Sequence, residues 1–335
     1  MTADDRLALP APAKLNLFLH VTGRRADGYH LLETVFRFVD LADHIVLSRR
    51  DDGLIVREGG LDEVAPEDDL VVRAAHALRE ATGCRLGATI ALDKRIPAGA
   101  GLGGGSSDAA TVLLGLNRLW RLGLTRDRLM AIGVRLGADV PVFVFGRNAY
   151  ATGIGEVLAP VPLPPQWFVL AMPSVAVSTA SVFGAPDLTR NTEPITLAGF
   201  SSQVANGGAT ALVGRNDLEP VVFARQPAVR EAHRLLEMAA TREAPSGVGV
   251  AGLGKDVRHP VRARMTGSGA CVFAVADSES RAHAIADAFT ALESERRKAA
   301  SSTALDDVSP PGTAPSRVFV AAGLQEHPLG SSQVG

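Results

Sequence analysis

Cysteine is nearly missing from this chain, aromatic rings are few, and neither sign of charge dominates. Only two cysteines occur in 335 residues, Cys84 and Cys271, so a disulfide framework and a cysteine metal cluster are both excluded. Both sit in apolar company and are expected to fill core. Lysine plus arginine number 34 against 36 acidic residues, a net charge of -2, which leaves no basic footprint and argues against nucleic acid as a partner. No apolar run reaches the length of a membrane span. The opening Met1-Thr-Ala-Asp-Asp-Arg6 lacks the basic and apolar regions of a secretory signal, so the expected location is cytoplasmic, with no membrane partner. No internal repeat is present. His20, His44, His76, His233, His259, His283 and His327 show no metal-binding spacing, and none is given a role.

What is abundant is glycine, concentrated in Pro97-Ala98-Gly99-Ala100-Gly101-Leu102-Gly103-Gly104-Gly105-Ser106-Ser107. Five of these eleven residues are glycine. Such a backbone reaches positive φ and lets a ligand approach closely. A strand-like run, Ala88–Ile96, precedes it, and an apolar run of helical period follows to about Leu122. A glycine loop emptying into a helix start offers unpaired N–H groups and the positive end of the dipole, which suits phosphate. Ser106 and Ser107 are expected to serve as N-cap and as a hydroxyl ligand for phosphate or its metal. The P-loop reading fails, because Gly105 is followed by Ser-Ser and not by Lys-Ser/Thr. Gly99-x-Gly101-x-x-Gly104 matches the dinucleotide fingerprint, yet no acidic residue ends a second strand about 20 positions later. A flexible linker is the remaining reading, and linkers seldom sit between an apolar strand and an apolar helix.

The length suits two domains, 1–165 and 166–335, divided at the proline run Pro160–Pro165. Residues 13–21 alternate as a strand, with Leu15, Leu17, Leu19 and Val21 on one face and Lys14 and Asn16 on the other. Gly23–Gly28 reads as a turn, followed by strands at about 31–39, 43–49 and 53–57. Pro66 opens a helix striped by Leu70, Ala74 and Leu78 and closed by Gly83. Thr125 caps a helix to about Leu136, which Gly137-Ala-Asp-Val-Pro141 breaks. Val142–Phe145 and Tyr150–Gly155 read as strands. Beyond the boundary come a strand at 167–172, helices near 178–183 and 216–240, a strand at 261–265, a loop at Thr266-Gly-Ser-Gly269 and a strand at 271–275. A helix at 279–294 and a strand at 317–322 complete the pattern. Residues 241–259 and 299–316 have no usable period and read as mobile surface loops.

Taken together, Pro12–Leu19, the Pro97–Ala110 loop and Met265–Cys271 resemble the three motifs of the GHMP kinases, the group named for galactokinase, homoserine kinase, mevalonate kinase and phosphomevalonate kinase. Gly23–His30, Asp93–Pro97, Leu136–Phe143 and Arg190-Asn-Thr192 narrow the likeness to a branch whose acceptor is a cytidyl diphosphate sugar alcohol. It spans about 10 to 325, and 241–259 and 299–316 look like insertions. The resemblance implies an α/β (α+β) fold with an N-terminal ribosomal protein S5-like domain and a C-terminal ferredoxin-like domain. It implies ATP and Mg²⁺ as cofactors and phosphorylation of a small-molecule alcohol. By match, Asp139 takes the hydroxyl proton and Lys14 is the catalytic lysine. Read alone, Asp139 could equally cap the turn before Pro141, and Lys14 could be a solvated strand lysine. Thr266–Gly269 resembles a second loop lining the site, though by itself it is only a turn. On the acceptor side the resemblance carries over Asn16 and Thr179, the pair Tyr29 and Phe183 about a cytosine ring, and His30 at its polar edge. No metal ligand is identified. The rival readings are another small-alcohol kinase, of homoserine or mevalonate type, and a non-catalytic nucleotide sensor. The presence of both Lys14 and Asp139 disfavours the sensor.

Overall fold

Two long strands, β1 (Arg6–Arg24) and β2 (His30–Arg50), pair antiparallel along nearly their whole length and frame the first half of the molecule. The computed structural model describes residues 5–207, 210, 212–244, 262–303 and 314–330. β2 is one strand where two were expected, and β1 begins seven residues before the expected 13. Prolines 10 and 12 hid its first part. They are tolerated because this part of β1 pairs with β2 alone, and one of three register shifts falls between Pro12 and Ala13.

The first shift loops out two residues of β2, Asp40 and Leu41, while each of the other two inserts one residue into β1 and turns the side chains that follow to the other face. Leu9 and Ala11 join one apolar core, Ala13, Leu15 and Leu17 a second, and, past the insertion that follows Asn16, Leu19 and Val21 a third. The expected single face through Leu15, Leu17, Leu19 and Val21 is therefore broken at the shift between Asn16 and Leu19. Lys14 and Asn16 are not on a solvated face: both are 3% exposed.

The remaining strands of this sheet are β3 (Ile55–Gly59), β4 (Gly87–Asp93), β5 (Ala149–Thr152) and β6 (Val157–Pro160), in the order β3-β4-β2-β5-β6 with β1 on β2. Helices α1 (Leu70–Thr82), α2 (Gly104–Leu119), α3 (Arg126–Gly133) and α4 (Val140–Phe145) share the first core with it. Pro66–Asp68 form a 3₁₀ turn that leads into α1, and Asp69 caps that helix, accepting from the Val71 amide at 3.1 Å. Thr125 caps α3 as expected. The strand expected at Val142–Phe145 is instead helix α4. Residues Val140 to Val144 are all buried, and a short apolar run carries no period that separates a buried strand from a buried helical turn.

The second half carries β7 (Trp167–Met172), α5 (Thr179–Phe183), α6 (Leu197–Gly207), α7 (Glu219–Arg225), α8 (Pro227–Arg242), β8 (Ala263–Met265), β9 (Val272–Ala276), α9 (Glu279–Thr303) and β10 (Arg317–Ala322). Its antiparallel sheet runs β10-β7-β9-β8, which with α8 and α9 as crossovers is the ferredoxin-like order. The expected helix 216–240 is two, because the residue before Pro227 is pushed out of the α region: Gln226 has φ -128 and ψ 81. The loops expected at 241–259 and 299–316 start inside α8 and α9, and their stretches 245–259 and 304–313 lie outside the described residues.

After β10 the chain returns to the first sheet. Leu324 donates its amide to Phe38 at 2.8 Å, His327 donates to Gly146 at 2.9 Å, and the Leu329 carbonyl accepts from Arg126 at 2.7 Å. His327 is 1% exposed, its Nδ1 accepts from the Leu329 amide at 3.0 Å, and its ring stands edge-on to Phe38. Burial first, then the nearby Arg126 charge, pushes the His327 imidazole down to about 3. It stays neutral in the folded protein and charges only on unfolding, so its contribution is fully present above the ordinary histidine value and is lost as pH falls below it. Wild type should therefore lose stability relative to His327→Asn, which keeps an acceptor for Leu329, by roughly 1–2 kcal/mol between pH 7 and pH 5. Urea denaturation of both proteins at the two pH values measures this, and a constant gap would refute it.

Candidate active site

Lys14 is the buried centre of a cleft of about 620 Å³. Its Nζ donates to Asn16 Oδ1 at 2.7 Å and to the Gly101 carbonyl at 3.0 Å, and lies 3.2 Å from Asp139 Oδ2. Its backbone amide donates to the Leu102 carbonyl at 3.0 Å, tying β1 to the glycine loop. Asn16 is fixed in turn: its Nδ2 donates to Thr34 Oγ1 and its amide to Thr266 Oγ1, each at 2.9 Å. The register shift after Asn16 is what puts Lys14, Asn16 and Leu19 on one wall of the cleft.

Asp139 sits at the N-cap of α4, yet its side chain makes no capping hydrogen bond. The turn-capping reading is thereby removed, and the carboxylate, about one-third exposed, faces Lys14.

Every residue from Pro97 to Ser106 lines the cleft. The N-cap of α2 is Gly103, at φ 73, and not one of the serines, which lie in the first turn. Ser107 is buried and donates its hydroxyl to the Pro12 carbonyl at 2.7 Å, so Ser106 is the hydroxyl left at the wall. The loop is laced to the third motif: the amides of Ala270 and Cys271 donate to the carbonyls of Gly99 and Ala100 at 3.3 and 3.2 Å. Gly101 makes the closest approach. It has φ +74, and a β-carbon there would stand 2.2 Å from the Thr266 carbonyl oxygen.

At the opposite wall, Thr179 and Ser268 share a hydrogen bond of 2.7 Å, and both line the cleft with Phe183. Tyr29 and His30 are not among its walls. Tyr29 is 61% exposed on the turn between β1 and β2, and among the described residues no ring packs on it. His30 stacks at a tilt against Phe183, with centroids 5.1 Å apart, and its Nε2 accepts from Arg190 Nε at 3.0 Å.

One charged cluster was not singled out from the sequence. Lys94 binds both Asp43 and, at 2.6 Å, Asp108, and Asp43 also accepts the Ile96 amide at 2.8 Å, which fixes the entry to Pro97. Burial pushes the Asp108 carboxyl well above the usual carboxylate range. Burial opposes charge on Lys94, but the two aspartates outweigh it and raise its pKa. Asp108 Oδ1 is buried without a hydrogen-bond partner among the described residues. The available signal was a lone carboxylate in an otherwise apolar helix start. No helix among the described residues is long and apolar enough to cross a membrane.

Comparisons with known proteins accord with this arrangement. The family description for the GHMP kinases N terminal domain matches residues 69–147, and that for GHMP kinases C terminal matches 258–294. A 4-diphosphocytidyl-2-C-methyl-D-erythritol kinase of Bordetella parapertussis is 49% identical over 96% of this chain and 96% of its own length. A crystal structure of 4-(cytidine 5'-diphospho)-2C-methyl-D-erythritol kinase superposes with TM-score 0.72 at 32% identity, covering 95% of this chain and 99% of that one. The homoserine kinase from Cytophaga hutchinsonii, at 17% identity and TM-score 0.62 over 98% and 97% of the two chains, shares the fold.

The glycine loop makes a graded prediction. Gly99→Ala meets nothing within 4 Å and should cost only the backbone strain of its positive φ, about 1 kcal/mol. Gly101→Ala must part the two loops, and should lower nucleotide affinity at least tenfold and the melting temperature by several degrees. Calorimetric titration and thermal melts of the two variants check this, with equal effects counting against it.

Proposed function

The chain belongs to the 4-diphosphocytidyl-2-C-methyl-D-erythritol kinases, within the GHMP kinases, and on that premise we propose how its cleft divides the work of phosphoryl transfer. It is a phosphotransferase with ATP as donor and 4-diphosphocytidyl-2-C-methyl-D-erythritol as the alcohol acceptor. The acceptor's 2-hydroxyl is the nucleophile, and the reaction belongs to the non-mevalonate route to isoprenoid precursors. We take 1–165 and 166–335 as its two domains, a division supported by the change of sheet between Pro160 and Trp167.

The observation that carries the mechanism is the 3.2 Å contact of Lys14 with Asp139 beside the glycine loop. Asp139 accepts the hydroxyl proton as the acceptor oxygen attacks the terminal phosphorus and ADP departs. The Lys14 ammonium stabilises negative charge building on that oxygen and on the transferred group. Loop amides and the N-terminus of α2 hold the remaining phosphates. Asn16 keeps Lys14 in place from one side and the Gly101 carbonyl from the other. Phe183, Tyr29 and His30 receive the cytosine, with Thr179 beside them.

Mg²⁺ fits the residues present. No group of three or more His, Cys, Asp or Glu suited to a metal occurs among the described residues, and Mg²⁺ typically takes one or two protein oxygens with the rest from phosphate and water. The unpartnered Asp108 Oδ1 and the Ser106 hydroxyl, both of residues lining the cleft, would hold it. When bound, the ion neutralises phosphate charge.

Asp139→Asn should lower turnover by roughly 10²–10⁴-fold with nucleotide affinity unchanged, and near-normal turnover would overturn the assignment. Across a panel of alcohols, ADP release should follow the cytidyl acceptor and stay at background with homoserine and mevalonate. Tyr29→Ala should raise the acceptor KM roughly ten- to a hundredfold, the worth of one stacked ring, and leave that of ATP alone. A good rate with either simple alcohol would reduce the reading to an unspecified kinase of this family.

A further inference from the structure

Residues 189–196 form no helix or strand, yet the segment is pinned at both ends beside the base site. At its far end the amides of Ile195 and Thr196 donate to the buried Glu33 carboxylate. At its near end the Arg190 guanidinium is a clamp. Its Nη2 donates to the carbonyls of Phe183 and Ala185 at 3.2 and 2.6 Å, and its Nη1 to that of Leu188 at 3.0 Å, closing the C-terminal end of α5. The third nitrogen, Nε, donates to His30 Nε2 at 3.0 Å. One side chain therefore holds both Phe183 and His30.

This contact has a chemical consequence. Guanidinium is donor-only and keeps its charge throughout the accessible pH range, so the atom facing it must offer a lone pair. Nε2 of His30 is then the acceptor, and a neutral imidazole carries its single proton on Nδ1. Burial, followed by the charges of Arg190 and Arg24, moves the His30 pKa below its ordinary value. No carboxylate among the described residues bonds the ring to oppose them, and Nδ1 has no partner among the described residues.

We propose that Arg190 is a positioning residue that fixes His30 in the Nδ1–H tautomer and so sets the base specificity of the acceptor site. This rests on the reading above in which His30 meets the polar edge of the base. A locked donor requires an acceptor opposite it. Cytosine presents a lone pair at N3, where uracil presents N–H, and a buried donor facing a donor rejects the ligand. Stacking on Phe183 cannot make this distinction, since every base has a flat face. Arg190 is not among the residues that line the cleft, and acts through His30 and the end of α5.

The test joins a spectrum to a specificity ratio. In ¹⁵N-histidine-labelled protein without substrate, with His30 assigned by its loss in His30→Asn, Nδ1 should be protonated and Nε2 should carry the lone pair. In Arg190→Gln the two tautomers should mix and the His30 titration midpoint should rise. The same variant should lower the preference for the cytidyl over the uridyl acceptor about tenfold or more, with kcat and the ATP KM little changed. Arg190→Lys, which keeps a cationic donor, should retain most of the preference. A loosened α5 alone would raise the KM for both acceptors equally and leave the ratio standing, which would overturn the proposal. An Nε2–H tautomer in an enzyme active on the cytidyl acceptor would overturn it alone. Absence of activity on that acceptor would instead overturn the functional reading, and base specificity with it.

Discussion

An ammonium group at 3% exposure is the constraint around which the rest of this molecule is arranged. Burying a charge without partners is prohibitive, so Lys14 can stand where it does only if several elements converge on it. Asn16 comes from the same strand, Gly101 from the loop before α2, and Asp139 from the start of α4. Loss of any one contact leaves a buried cation short of an acceptor. The Thr266 hydroxyl accepts from the Asn16 amide and faces the same Gly101 carbonyl at 3.4 Å, so the third motif is held to both the first and the second. A site assembled in this way is rigid for the same reason that it is charged.

The two sides of the cleft are organised by different physics. On the nucleotide side the backbone does the work: glycines approach the neighbouring loop closely, and Asp43 and Lys94 secure the entry to the loop. On the acceptor side long polar side chains replace regular structure. Arg190, Glu33 and Asp217 bond the amides, carbonyls and hydroxyls of segments that have no ladder of their own. Buried backbone groups must be paired, and where no strand is available a carboxylate or guanidinium supplies the partner. Orientation of His30 and Phe183 is a by-product of that pairing.

The glycine loop, the Thr125 cap and the alternation about Lys14 were legible from residue order, because each depends on neighbours a few positions away. The helix after Thr125 ends at Gly133 and not near Leu136, and Val140, expected to be held out of the α region by Pro141, opens α4 instead. Val142–Phe145 was misread as a strand because five consecutive buried residues of α4 erase the period that would show a helix. The single face through Leu15, Leu17, Leu19 and Val21 failed at a register shift, which is a property of two strands together. Asp108 was passed over for a related reason: its burial and its pairing with Lys94 come from the tertiary packing of distant segments.

By itself the sequence determined which groups were available: the loop that suits phosphate, one lysine and one aspartate in company that resembles a kinase, and the absence of thiol or metal-cluster chemistry. Tertiary structure decided which of them meet. Lys14 and Asp139 are 125 positions apart, and their 3.2 Å contact exists because β1, α2 and α4 share one core. Arg190 and His30 lie 160 positions apart, and no local pattern marks an arginine whose role is to choose a proton's place on a distant ring. Local order sets propensity and chemistry, whereas the pairing of distant polar groups is fixed only when burial leaves each a single partner.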